Sequence, residues 1–181
     1  NMFDLTDKVA VLTGGAGGLG REVAKGIAEF GADVVLASRR IEALEEAAEE
    51  VRSLGRKAIA IKTDVTDYES VKNMTREVMN QFGKIDILIN AAGINNRIPL
   101  LELPVEEWDK IINVNLRGTF LCCKCVGEIM VKQNRGKVIN FGSVSSILGH
   151  PNHSAYAASK GGVLLLTRVL AMEWAKHNVN I

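Results

Sequence analysis

The sequence predicts a doubly wound α/β fold on a parallel sheet, and three observations carry that expectation. Short apolar runs alternate with helical patterns along the whole chain. The runs are mostly continuous in apolar character, as strands covered on both faces are. The first run ends in a glycine-rich turn that leads straight into a helical pattern. Right-handed crossovers between successive parallel strands then wind the chain over both faces of the sheet.

Each element has its own signal. Residues 8–13 carry Val9, Ala10, Val11 and Leu12 ahead of glycines, a buried first strand. Over 19–30 the apolar residues Leu19, Val23, Ile27 and Phe30 recur at helical spacing, and Gly31 stops the helix. Residues 32–37 form strand two, and 41–54 a charged, alanine-rich helix closed by Gly55. Strand three is 57–63, followed by a helix over 67–82 that Asp67 is placed to cap. Ile-Asp-Ile-Leu-Ile-Asn at 85–90 is strand four, and Pro104 opens a long helical segment over 105–133. Strand five is 137–141, and 157–177 is the last helix. That helix carries Val163, Leu165, Leu166, Val169, Leu170 and Met172 on more than one face. One face can pack on the sheet, so the other is expected to meet a second subunit. Asn178-Val179-Asn180-Ile181 reads as the opening of a sixth strand, and the expectation is one domain over 1–181 whose last strands lie beyond it.

Composition excludes several classes of function. The net charge of +1, with 24% charged residues, gives no reason to expect nucleic acid or an anionic membrane as partner. No apolar run reaches the ~18 residues of a membrane span. Asn1-Met2-Phe3-Asp4 does not open a secretion signal, so a cytoplasmic location is expected. Cys122, Cys123 and Cys125 crowd one helical stretch and are expected to be buried thiols rather than a disulfide or metal site.

The chemistry starts at Thr13-Gly14-Gly15-Ala16-Gly17-Gly18-Leu19-Gly20. Bare backbone there can approach a pyrophosphate, and the free N–H groups of the following helix favour its charge. Gly14, Gly18, Leu19 and Gly20 are the expected contacts. An acidic residue at the tip of strand two would hold an adenine ribose hydroxyl. This tip reads Ser38-Arg39-Arg40 instead, a hydroxyl and guanidinium suited to a 2′-phosphate, which predicts NADP with NAD as the alternative. The second constellation is Ser143, Tyr156 and Lys160. Tyrosine and lysine four positions apart share a helix face. A nearby ammonium makes a phenol a usable acid and base, and a serine hydroxyl can hold the substrate oxygen.

Thr-Gly-x-x-x-Gly-x-Gly at 13–20, Asn-Ala-Ala-Gly at 90–93, Asn115, Ser143 and Tyr-Ala-Ala-Ser-Lys at 156–160 occur in one order and spacing. In this the whole chain resembles the short-chain dehydrogenases/reductases. The resemblance implies a Rossmann-type fold, a nicotinamide cofactor and a hydride exchanged between a secondary alcohol and a ketone. It implies adenine contacts from Asp64 and Val65, and cofactor ribose contacts from Asn90, Ala91 and Gly93. It makes Asn115 the asparagine that holds a helix kink and positions a water, Ser143 the substrate-orienting serine and Tyr156 the acid/base. Lys160 becomes the residue that grips the nicotinamide ribose. It further implies a homotetramer or homodimer, and a substrate lid after strand six that these residues do not include.

Ala91 to Arg97 and Glu173 to Asn178 are similar to stretches of gluconate 5-dehydrogenases and related sugar-acid dehydrogenases, which implies a polyol or sugar acid such as gluconate or ketogluconate. Asn95, Arg97 and His150 are the candidate substrate contacts. His150 and His153 border the substrate loop, but with no third ligand nearby no metal is expected. The competing readings are a 3-oxoacyl thioester reductase and a non-catalytic NADP-binding scaffold.

Overall fold

The computed structural model describes residues 3–181. Its sheet has six strands in the order β3-β2-β1-β4-β5-β6, all parallel. In chain order these are β1 (Val9–Thr13), β2 (Asp33–Ser38), β3 (Ala58–Lys62), β4 (Ile87–Asn90), β5 (Gly136–Asn140) and β6 (Val179–Asn180). The helices are α1 (Gly18–Glu29), α2 (Ile41–Ser53), α3 (Tyr68–Phe82), α4 (Val105–Ile112), α5 (Gly118–Gln133) and α6 (Ser154–Trp174).

Strand periodicity splits the apolar residues between two cores. Val9, Val11, Val35 and Leu88 face α3 and α5, meeting Val71, Met74, Val78, Val126 and Met130. Ala10, Leu12, Leu36 and Ile89 face α1 and α2, meeting Ala24, Ala28, Leu44 and Ala48. Both faces of the strands are thereby covered, which is why the strands read as continuous apolar runs. Asp67 caps α3 as expected, its carboxylate accepting from the Glu69 N–H at 3.0 Å.

Most bounds shift by a residue or two, and two helical segments and one helix face differ more from the sequence reading. The 105–133 segment is helical throughout, but a π-helical turn over Asn113–Arg117 interrupts it between α4 and α5. The last helix starts at Ser154 rather than 157, which puts Tyr156 in its first turn, and ends at Trp174 before a 3₁₀ turn. Along α1 the buried residues are Gly20, Ala24 and Ala28, whereas Leu19 is 71% exposed. Small residues let this helix sit close to the sheet, and Leu19 is released to the cleft described below.

The three cysteines are buried free thiols. Burial pushes the Cys123 thiol up to about 12, so it stays protonated and unreactive at neutral pH. On α6, Leu165, Val169 and Met172 form an exposed apolar stripe at helical spacing.

Gly118, at the start of α5, tests how closely that helix must approach the strand edge. Its backbone is ordinary right-handed helix, so alanine would gain up to about 1 kcal/mol in helix propensity. A Cβ there would lie 2.8 Å from Val65 Cγ2 and 3.1 Å from its Cβ, and the branched valine cannot turn away. Overpacking of this kind costs about 1–3 kcal/mol, so we expect Gly118→Ala to lower stability by about 1 kcal/mol. In a thermal melt that is a fall of roughly 2–4 °C; a rise would show that the two elements are less tightly apposed.

Candidate active site

The strand order reverses between β1 and β4, which lie side by side while their following chains leave to opposite faces. In a parallel sheet this is where a crevice opens at the carboxyl edge. Thr13 is level with Ala37 on one side and with Asn90 on the other, and Asn90 with Asn140 beyond it. The turns that leave these strand ends line a cleft of ≈ 440 Å³.

Its floor is the glycine turn. Gly14 has φ +75°, a region L side chains avoid, and a Cβ there would come within 2.7 Å of Ala92 N. A Cβ on Gly20 would sit 2.3 Å from the Gly14 carbonyl oxygen. These two positions demand glycine, and the result is bare backbone facing the cleft where α1 begins. Gly18 opens α1 but lies outside the cleft wall, while Leu19 lines it.

At one end stand Ser38, Arg39, Asp64 and Val65, as the sequence suggested. Burial alone would raise the Asp64 pKa. The N–H and hydroxyl of Thr66, at 2.9 and 2.8 Å, together with the charge of Arg39, outweigh it and hold the carboxyl below its usual range. Arg40, which sequence reasoning left unassigned, also lines this end, and its Nη2 lies 3.7 Å from where a Gly17 Cβ would be. Its neighbourhood with Arg39 was the available signal. Neither guanidinium has an ion-pair partner among the described residues.

At the other end stand Ala91, Gly93, Ile94, Val114 and Phe141. Asn90 lies beneath the cleft with its amide turned sideways, donating to Asn140 Oδ1 at 2.8 Å. Val114 and Phe141 had no signal in the sequence, since a tertiary approach alone brings them to the wall. Asn115, fully buried in the π turn, clamps the wall in place. Its Oδ1 accepts from Ile94 N at 2.8 Å, and its Nδ2 donates to the Ile94 carbonyl at 2.9 Å and to Ser159 Oγ at 3.1 Å. Ser159 Oγ in turn donates to the Tyr156 carbonyl at 2.7 Å, tying this clamp to the first turn of α6.

Tyr156 and Lys160 stack one turn apart on α6, with the Lys160 ammonium 5.9 Å from the phenol ring centre. Lys160 Nζ donates to the carbonyl of Phe141, on the cleft wall, at 2.6 Å. Burial holds the Lys160 ammonium below the ordinary lysine value of 10.5. Ser143 follows β5 and caps a 3₁₀ turn over Val144–Ser146 that packs on α6. Its Oγ accepts from Ser145 N, and its own N–H donates to Ser146 Oγ, both at 3.1 Å. The serine hydroxyl proton is thus left to donate elsewhere. Asn95, Arg97 and His150 are exposed and outside the cleft wall, whereas His153 is buried against Tyr156. The described residues hold no cluster of metal ligands and no helix long and apolar enough to cross a membrane.

The family model described as short chain dehydrogenase matches residues 8–181. An NAD-dependent glycerol dehydrogenase of Listeria innocua is 38% identical over 99% of this chain and 69% of its own length. A gluconate 5-dehydrogenase of Gluconobacter oxydans is 38% identical over 100% of this chain and 71% of its own. The crystal structure of an NAD⁺-bound xylitol dehydrogenase, 34% identical, superposes with a TM-score of 0.96 over 98% of this chain and 68% of that one.

The buried ammonium makes stability depend on pH in a definite direction. Because the folded pKa of Lys160 is lowered, the unfolded chain binds the proton more tightly, and folding gains as pH rises toward 10.5. Urea unfolding between pH 7 and pH 10 should therefore show the wild type gaining on Lys160→Met as the solution becomes more alkaline. A difference that is flat or shrinks over that range contradicts a penalised ammonium.

Proposed function

The chain belongs to the short-chain dehydrogenase family, and from that premise we propose that it interconverts a secondary alcohol and a ketone with NADP(H), on a polyol or a sugar acid such as gluconate. That it is an oxidoreductase follows from the family. One observation carries the alcohol–ketone chemistry: Tyr156 and Lys160 stand one helical turn apart, with the lysine ammonium anchored on the wall of a glycine-floored cleft. The polyol or sugar acid is supported by the likeness to a glycerol dehydrogenase and a gluconate 5-dehydrogenase.

The cleft suits a dinucleotide. Backbone replaces side chains where Gly14 and Gly20 admit no Cβ, and the helix start at α1 favours a pyrophosphate. When bound, the cofactor supplies or accepts the hydride. Asp64 and Val65 would border the adenine, Ser38, Arg39 and Arg40 a 2′-phosphate, and Ala91 and Gly93 the cofactor ribose. Two of the relatives, the glycerol and xylitol dehydrogenases, go with NAD, and a metagenomic short-chain oxidoreductase of similar structure was solved in complex with NADP. The proposal of NADP rests instead on two unpaired guanidinium groups at the adenine end and no acidic residue at the tip of β2.

Ser143, its acceptor lone pair occupied by Ser145 N–H, would donate its proton to the substrate oxygen. In oxidation the Tyr156 oxygen, as phenolate, would take the hydroxyl proton while the carbinol carbon gives up its hydride to the dinucleotide; in reduction the neutral phenol would give its proton to the ketone oxygen and be left as phenolate. Lys160 would stabilise the negative charge of the phenolate and, in place of the Phe141 carbonyl it now bonds, would hold the nicotinamide ribose. Asn115 acts as a positioning residue: it fixes Ile94 on the cleft wall and, through Ser159, the first turn of α6. The exposed stripe on α6 is where we place the contact with a second copy of the chain.

Steady-state kinetics on a polyol panel test the mechanism. Tyr156→Phe should lower kcat by roughly 10²–10⁴-fold at saturating dinucleotide, the range for losing a general acid–base group. Turnover near the wild-type level would overturn the assignment of the proton to Tyr156. For the cofactor, Arg39→Ala and Arg40→Ala should each weaken NADPH binding by roughly tenfold or more beyond any effect on NADH, as charge-assisted hydrogen bonds to one phosphate require. Fluorescence titration that finds equal losses for both dinucleotides would reject the phosphate role.

A further inference from the structure

Six buried side-chain polar atoms lack a partner among the described residues, and four of them lie on two segments that are hydrogen-bonded to each other: Asn96 Nδ2, both ring nitrogens of His153 and Ser154 Oγ. They come from the segment after β4 and from the chain that enters α6. The two are tied by the Ile98 N–H, which donates to the Asn152 carbonyl at 3.0 Å. His153 is only 8% exposed, and its ring stands edge-on to that of Tyr156 with centroids 5.9 Å apart. His150, exposed, lies on its far side at 6.2 Å.

Packing alone does not account for an imidazole here. A phenylalanine would make the same edge contact without burying two polar atoms, and buried polar atoms are unfavourable unless a partner reaches them. Near the site the amide of Asn115 is paired on both sides, and among the unpaired atoms there Asn90 Oδ1 stands alone, whereas His153 leaves both of its ring nitrogens unpaired. The unpaired set therefore points to a ligand group beside the phenol.

We propose that His153, with Asn96, determines substrate specificity by hydrogen-bonding a hydroxyl on the carbon next to the one that reacts. This deepens the function proposed above and rests on Tyr156 being the proton-transferring group. An uncharged imidazole offers one N–H and one acceptor nitrogen, and an amide nitrogen only donates. A hydroxyl both donates and accepts and so matches the set. A carboxylate only accepts, and the methylene beside the oxo group of a 3-oxoacyl chain does neither. The substrate class is thus a vicinal diol and its product an α-hydroxy ketone. His153, rather than the exposed His150, is the histidine that reads it.

The test compares butane-2,3-diol with butan-2-ol, which differ by the one hydroxyl in question. The ratio of their kcat/KM values should favour the diol in the wild type and fall by roughly tenfold or more in His153→Phe, which keeps the ring and removes both nitrogens. Asn96→Leu should lower the same ratio from the other segment, and reads the preference independently if the histidine variant does not fold. A ratio unchanged in both variants, or rates that fall in parallel for both alcohols, overturns the inference and leaves His153 as support for Tyr156. If the wild type oxidises neither alcohol nor any other polyol, the dehydrogenase reading itself fails and this inference falls with it.

Discussion

The site depends on one constraint of chain topology. β1 and β4 are neighbours in a parallel sheet although three helices and two strands separate them in sequence, and their exits diverge. Parallel pairing puts both carboxyl ends at the same edge, so the glycine turn after β1 and the 91–94 segment after β4 must face each other across a gap. The contact between Gly14 and the backbone of Ala91 and Ala92 shows how narrow that gap is at its base. Only a residue without a side chain closes it.

Function is held in this gap by buried polar groups that a merely stable protein would not need. Asn115 is fully buried and spends its whole side-chain amide on Ile94 and Ser159. Placed in an unbroken α-helix, its side chain would not be offset to reach the loop; the π turn supplies the extra residue that turns it inward. Lys160 keeps a cation where burial disfavours one, held by a single carbonyl. Such local losses are offset by the two apolar cores on either side of the sheet, which contain no cation of this kind.

Much of this was legible in the sequence, because apolar periodicity reports the faces that are buried and glycine spacing reports where the backbone must come close. The parallel, doubly wound sheet, the cap at Asp67, the buried cysteines and the pairing of Tyr156 with Lys160 on one face all follow from such local signals. What escaped depends on tertiary approach. The apolar spacing of α1 did not show that Gly20, Ala24 and Ala28 take its buried face, although Leu19, expected as a cofactor contact, does line the cleft. The first turn of α6 was missed because Ser154 and His153 give no capping hydrogen bond that would announce it. Val114 and Phe141 reach the cleft only once strands distant in sequence are aligned. Which of two histidines faces the phenol is likewise decided by burial, and the sequence reading chose the exposed one.

In the proposed site a phenol and an ammonium on one helix face the reactive end of a dinucleotide whose other end meets the tip of β2. A crystal structure of the protein with NADPH bound tests it most directly. The expected density for the cofactor runs from Arg39 and Arg40, over the glycine turn, to a nicotinamide ribose within hydrogen-bond distance of Lys160, with the Tyr156 hydroxyl beside the ring. A cofactor lying elsewhere, or in this cleft with its nicotinamide turned away from Tyr156 and Lys160, would contradict it.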